Sequence, residues 1–526
     1  MQFHKTPGWM AAALMTFSPF AHAQTAVMTK VQQKTADGIL EGIVSPDGKV
    51  RTFKGIPFAA PPVGPLRWKA PQPVTPWTGV RQAREFGPRC MQGNIYSDMI
   101  FHDAGPGEDC LYLNLWMPTN PPSNKLPVMV WIYGGGYQAG ATSEGRQDGG
   151  NLAKHDVIIV SMNYRLGIFG FFSHPDLAKE SGHNSSGNYG LLDQLAALQW
   201  VKNNIATFGG DPDNVTIFGE SAGSFSVSAL VASPLAKGLF QRAIGESGAY
   251  LSNGTLPMKP HAETEKADLA FAKSALGTDS LAELRAKPAA EILDAALKDK
   301  SVFFSPNVDG YFLPEDVISI FAARKQSIVP TLAGWNRDEQ TYHSILHDDA
   351  PTAENFRKHL DQLYGANAGQ IAKLYSGSNE ADIKRAAQDL AGDRFIAFGT
   401  WKWLEVTAKT GKVPVYRYQF DQTLPLAPNA PADAEPIAPH ASEIEFVFQM
   451  LFTRILTWRP EDHKVSDMMA AYWTNFAKSG NPNGEGLPQW PRYHSKANYS
   501  VMHLSASPGV APDTHRARYL LLDSLH

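Results

Sequence analysis

Gly219-Glu220-Ser221-Ala222-Gly223 directly follows the short apolar run Val215-Thr216-Ile217-Phe218 and leads into a helix-forming stretch, Ala222 to Val231. A serine on a sharp strand–turn–helix bend is placed to act as a nucleophile, because the bend lifts its hydroxyl clear of the sheet. Glycines two before and two after it remove the Cβ atoms that would collide across so tight a turn. The N–H of Ala222 then points to where an oxyanion forms during acyl transfer. Five residues of this kind are a weak signal alone, since Ser and Gly are common in turns. The strand before and the helix after give the signal its weight. Gly245-Glu246-Ser247-Gly248-Ala249 imitates the pattern without the fifth-position glycine. Ser247 is therefore expected to be structural, or to hydrogen-bond a reacting group from behind.

An oxyanion needs further N–H donors from a second loop. Gly134-Gly135-Gly136 ends the apolar run Val128–Tyr133, and consecutive glycines let backbone approach a substrate oxygen closely. The competing reading is a nucleotide loop. Gly134-x-Gly136-x-x-x-Gly140 misses the dinucleotide spacing, and the sequence has no Walker A motif. Tyr137 and Gln138 adjoin the loop; they are expected to line a substrate pocket, against the plainer reading of loop packing.

A serine hydroxyl needs a base. Of the 16 histidines, His440 lies in a Pro/Ala-rich loop after the strand-like run Val413–Phe420, which suits a catalytic group. His343, His347 and His359 fall in or near helical segments and are expected at the surface. The acid that orients the base should follow a strand between Ser221 and His440. Asp338-Glu339 does so, after Val329–Ala333. The pattern does not choose between the two, and adjacent carboxylates are more often an ordinary solvated pair. With His440 as base, activity should fall as it protonates, near its ordinary pKa of about 6.5 unless the site shifts it.

These residues must be held by something. Strand-like runs at Val128–Tyr133, Val157–Val160, Val215–Phe218, Ala243–Ile244, Val329–Ala333 and Val413–Phe420 alternate with helical periodicity, clearest between Gly190 and Phe208. That order predicts an α/β fold with a central, mostly parallel sheet and helices on both faces. Pro330 and Pro414 weaken the starts of the last two strands. Residues 256–328 and 352–410 are expected as helical insertions. No linker, charge run or internal repeat divides residues 24–526, which are expected to form one domain.

The 526 residues are 43% hydrophobic and 19% charged, with a formal net charge of -4. That composition excludes disorder and supplies no electrostatic footprint for nucleic acid. Lys5, the apolar stretch Trp9–Phe20 and Ala21-His22-Ala23 form the pattern of a secretory signal peptide over residues 1–23. No later run is long enough to span a bilayer. An exported chain, periplasmic or secreted, with Cys90 and Cys110 as its only cysteines is a candidate for one disulfide. No Cys/His cluster suggests a metal, and the chemistry requires no cofactor. No motif speaks to oligomeric state.

Taken together, the motifs resemble the type-B carboxylesterases, the α/β-hydrolase family that includes the cholinesterases. Phe218–Gly223 is similar to that family's serine signature, and Glu108-Asp109-Cys110-Leu111-Tyr112-Leu113-Asn114-Leu115 to its second signature. Phe53-Lys54-Gly55-Ile56-Pro57, Pro65-Leu66-Arg67-Trp68, Gly480-Asn481-Pro482-Asn483 and Trp490-Pro491 extend the likeness over nearly the whole mature chain. The resemblance implies a serine carboxylesterase with Ser221, Glu339 and His440 as its triad. It implies Gly135, Gly136 and Ala222 as the oxyanion hole, with Ser247 and Glu220 beside the triad. It implies a Cys90–Cys110 disulfide and a buried, structural Arg67–Glu108 ion pair. The substrate is then a small ester, in place of which a lipase- or amidase-type reaction or a non-catalytic binding role are the alternatives. There are departures. No Trp lies between Cys90 and Cys110, where cholinesterases hold a cation, so choline esters are not expected substrates. Gln340 stands where relatives have Gly, and Glu246 where they have Gln. Glu246 is expected to alter charge near His440.

Overall fold

In a computed structural model, residues 29–122, 125–252, 254–431, 434–494 and 499–525 are described. The expected signal peptide, residues 1–23, lies outside them. The central sheet contains strands β1 (Lys30–Lys34), β2 (Ile39–Val44), β3 (Val50–Pro57), β4 (Tyr112–Pro118), β5 (Leu126–Ile132), β6 (Ile158–Met162), β7 (Gly210–Glu220), β8 (Arg242–Glu246), β9 (Thr331–Asn336), β10 (Val415–Phe420), β11 (Ser500–Leu504) and β12 (Gly509–Pro512). They lie in the order β1-β2-β3-β4-β6-β5-β7-β8-β9-β10-β11-β12, with a short strand, Val80–Gln82, beside β2. From β6 to β11 every neighbouring pair is parallel; the flanking pairs are antiparallel.

The parallel strands are apolar because both faces are covered. Every residue of β6 and β9 is buried. Helix α1 (Tyr189–Asn204) precedes β7, and α2 (Ala222–Ala232) follows it with every residue buried. Pro330 and Pro414 stand just outside the strands they threatened. Each still offers its carbonyl, to Ala243 N–H at 3.1 Å and to Thr331 N–H at 3.1 Å, and the missing proline N–H falls before pairing begins. Four helices occupy 261–322. A second set, including α3 (Glu380–Gly392) and α4 (Phe398–Ala408), occupies 353–408. Helix α5 (Pro460–Ser479) packs against β5 and β7. Among the described residues no helix is long and apolar enough to cross a membrane.

The topology has one consequence for chemistry. In open parallel sheets, groups at the carboxyl ends of neighbouring strands converge on one crevice. Here β5, β7, β8, β9 and β10 end at Ile132, Glu220, Glu246, Asn336 and Phe420. Gly134–Gly136, Ser221, Ser247, Glu339 and His440 all follow those ends.

Candidate active site

Ser221 sits between the last residue of β7 and the first of α2, with φ 52° and ψ -123°. That conformation is strained for a residue with a side chain, and such strain persists only where surroundings enforce it. The glycines explain how the bend fits. A Cβ on Gly219 would lie 2.6 Å from the Ile132 carbonyl oxygen, and one on Gly223 would overlap that same oxygen. Ser221 N–H donates to the Glu246 carbonyl at 2.9 Å, tying the bend to β8.

Three side chains then form a chain of hydrogen bonds. Ser221 Oγ is 2.9 Å from His440 Nε2. His440 Nδ1 is 2.6 Å from Glu339 Oε2. The other Glu339 oxygen accepts from Ser247 Oγ at 2.6 Å and from Asn336 N–H at 2.6 Å. Asp338 has a different place. It pairs with Arg337 and Arg385 at 2.7 Å each and accepts from Ala438 N–H at 2.9 Å. Burial would raise its pKa, but the Arg337 and Ala438 hydrogen bonds hold it below the usual range. Neighbouring carboxylates thus separate, with Glu339 on the imidazole and Asp338 on the loop that carries it. Asn336 braces the same loop, donating to the Pro439 carbonyl at 2.7 Å and to Glu443 Oε2 at 2.6 Å.

Gly134 packs directly on the bend: a Cβ there would lie 3.0 Å from Ser221 Cβ. Gly135 and Gly136 follow with φ of 103° and 62°. Among the described residues, the N–H groups of Gly135, Gly136 and Ala222 donate to no backbone acceptor across a turn or loop. The Cys90–Cys110 disulfide is formed, and its loop covers these glycines. Tyr96 Oη would lie 3.1 Å from a Cβ on Gly136, and Met99 Cε 3.1 Å from one on Gly135. Phe101, the other aromatic of that loop, is taken by Arg89, whose guanidinium carbon is 4.8 Å from its ring centroid. Arg67 and Glu108 form a bidentate pair at 2.6 and 2.7 Å, and Arg67 also donates to the Lys287 carbonyl at 2.7 Å.

The electrostatics are dominated by buried carboxylates. Glu220 Oε1 is 3.2 Å from His440 Nε2. Burial alone would depress the His440 pKa, but the charges of Glu220 and then Glu339 outweigh it and raise it to about 10. The ordinary histidine value expected from sequence is therefore displaced upward. Burial lifts Glu220 itself to about 8, against the pull of His440. Glu443 is raised to about 7 by burial and by the Glu339 charge. Glu246 is fully buried, with Trp473 Nε1–H donating to it at 2.7 Å. Burial, then Glu443, push its pKa well above the carboxylate range. Its departure from Gln thus adds less charge near His440 than its residue type implies.

Two readings are corrected. Tyr137 does not line a pocket: it is fully buried, its hydroxyl 3.1 Å from Ser226 Oγ and its ring edge-on to Phe171. A φ of 61° turns it from the glycine loop into the core. Gln138 is tied down beside it, donating to the Phe304 carbonyl at 2.7 Å. His359, expected at the surface, is buried against Asp349 at 2.9 Å. Sequence reasoning missed Phe395, whose ring meets the His440 imidazole edge-on at 5.1 Å. It also missed the cover supplied by Tyr96 and Met99, for which disulfide closure of their loop was the available signal.

Comparison with known proteins fits this arrangement. Residues 27–520 match the model of the carboxylesterase family. The chain is 37% identical to a fumonisin B1 esterase of Sphingopyxis macrogoltabida, over 89% of this chain and 85% of that protein. It is 38% identical to carboxylesterase 1D of Rattus norvegicus, over 88% of this chain and 86% of the relative. A solved PNB esterase superposes with a TM-score of 0.79 at 36% identity, covering 94% of this chain and 99% of that one. The chain belongs to the carboxylesterase family, a family of carboxylic ester hydrolases with the α/β-hydrolase fold.

Proposed function

We propose that this protein is a serine carboxylesterase in which Ser221, His440 and Glu339 act as the triad. The observation that carries the reading is the continuous hydrogen-bond chain, 2.9 Å from Ser221 Oγ to His440 Nε2 and 2.6 Å from His440 Nδ1 to Glu339 Oε2. Ser221 Oγ attacks the ester carbonyl while His440 takes its proton. Glu339 fixes the imidazole tautomer and stabilises the imidazolium. The N–H groups of Gly135, Gly136 and Ala222 receive the oxyanion, and loss of one such donor typically costs about 100- to 1,000-fold in rate. The proton then passes from His440 to the departing alcohol. Water attacks the acyl-enzyme by the same route, releasing the acid and restoring Ser221.

Residues 1–23 direct export and are removed, and the remainder works as one catalytic domain. Choline esters are poor substrates, since Phe101 is engaged by Arg89 and no Trp stands in the disulfide loop. The test is a p-nitrophenyl ester series, acetate to palmitate, on the mature protein and on Ser221→Ala. Turnover peaking at short chains and lost in the variant is expected. A wild type that turns over none of them, and that a fluorophosphonate does not label at Ser221, refutes the reading in favour of a binding protein. Activation at an oil–water interface would instead favour a lipase.

A further inference from the structure

A cavity of about 610 Å³ lies beside Phe395, and the same ring that meets His440 lines it. The wall comes from an irregularity in the backbone. Between α3 and α4, residues Asp393–Ala397 make a π-helical turn, closed by Phe398 N–H on the Asp393 carbonyl. Such turns insert an extra residue into a helix and recur at functional sites. This one sets Arg394 and Phe395 side by side, Phe395 against the imidazole and Arg394 on the cavity.

Arg394 is the one charged side chain among the residues lining the cavity. The Arg394 side chain is exposed, and among the described residues no carboxylate pairs with it; its guanidinium hydrogen-bonds the Tyr364 side chain, its carbon 5.5 Å from that ring's centroid. Gln340, the residue after Glu339 and one of the departures noted in the sequence, also lines the cavity. Ser344 Oγ donates to Gln340 Oε1 at 2.9 Å, and among the described residues Gln340 Nε2 donates to nothing. Ser252, Thr255 and Asn367 add neutral polar groups. A cationic fork beside an aromatic ring, an amide donor and, among the described lining residues, no acid describe a site for a carboxylate.

Resting on the triad assignment above, we infer that this cavity is a specificity subsite that binds a second, ionised carboxylate on the ester, with Arg394 as the group that pairs with it and Gln340 as a supporting donor. The carboxylate can be carried on the acid or on the alcohol, and the two sources are separable. Monobenzyl esters of the straight dicarboxylic acids from succinate to suberate carry it on the acid; their neutral counterparts are the benzyl alkanoates of matched length. Butyryl esters of ω-hydroxyalkanoates carry it on the alcohol, with alkyl butyrates of matched length as counterparts.

In one of the two series, the wild type should prefer the anionic member over its neutral counterpart at one or more chain lengths. Arg394→Gln should lower kcat/KM for that ester by about ten- to a hundredfold, mostly through KM, the range of a charge-assisted hydrogen bond. The neutral counterpart should be unaffected. Arg394→Lys should keep part of the preference, because charge remains and the fork is lost. Added salt should erode it in the wild type. Gln340→Gly should weaken the anionic ester less than Arg394→Gln does. Absence of any anionic preference in both series overturns the inference. So does an Arg394→Gln effect equal on charged and neutral esters, which marks a structural role. Hydrolysis of neutral esters by the wild type and not by Ser221→Ala would leave the triad standing in either case; no hydrolysis of any ester, with no fluorophosphonate labelling of Ser221, refutes both.

Discussion

Glu220→Gln should move the acidic limb of the pH–rate profile downward by at least about one unit. The perturbation removes one buried charge and keeps the side-chain shape. Glu220 Oε1 lies 3.2 Å from His440 Nε2. At that separation a unit charge pair is worth about 1.3 kcal/mol in a water-like medium and about 5 kcal/mol at an effective dielectric of 20. One pKa unit corresponds to about 1.36 kcal/mol, so the span is roughly one to four units. The lower end governs, because Glu220 is itself lifted to about 8 and attracts the imidazolium fully only when ionised. The sign follows directly. Glu220 favours protonated His440, so its loss lowers the histidine pKa and extends the free-base form to lower pH. The two groups titrate as a pair, and the measured midpoint belongs to both. The assay is kcat/KM for p-nitrophenyl butyrate from about pH 5 to about pH 10 in both proteins. A wild-type midpoint above the ordinary histidine value of about 6.5 is expected, with the variant returning toward it. A midpoint that stays put or rises in Glu220→Gln would refute the assignment of Glu220 as the main charge acting on His440.

Three further outcomes follow from geometry already described. Gly223→Ala should abolish activity and sharply lower soluble yield, since its Cβ would overlap the Ile132 carbonyl oxygen; a normally active, normally stable variant would contradict the packing. Replacing Cys90 and Cys110 together by Ser opens a loop of sequence separation 20. That should cost about 3 kcal/mol in chain entropy, read as an earlier unfolding midpoint in denaturant. Glu108→Ala leaves the buried Arg67 guanidinium with backbone carbonyls as partners and no counter-charge, which should cost about 3 kcal/mol while leaving kcat unchanged in the folded enzyme; a large fall in kcat with intact stability would give this pair a role in the chemistry.

The serine bend was legible because its causes are contiguous: strand, glycine, serine, glycine and helix lie within one short run of sequence. The order of parallel strands was legible for a similar reason, each being an apolar run of strand length. What local pattern left open is set by partners far away in the chain. Asp338 and Glu339 are equivalent as adjacent acids. They part only because Ser247 and His440 close around Glu339 while Arg385 and Ala438 close around Asp338. Tyr137 was misplaced for the opposite reason: it is next to the glycine loop in sequence, but one positive φ sends its ring inward. The His440 pKa could not be read at all, since Glu220 and Glu339 reach it from the ends of two different strands. The π-helical turn is the subtlest case. One extra residue shifts the phase of a helix by only about a quarter turn, which an irregular apolar pattern hides, yet it brings Phe395 to the imidazole and Arg394 to the cavity. Residues that set which ester is accepted are therefore where sequence reading is weakest. Their positions depend on backbone irregularity and long-range closure, whereas the reacting atoms depend on a short motif.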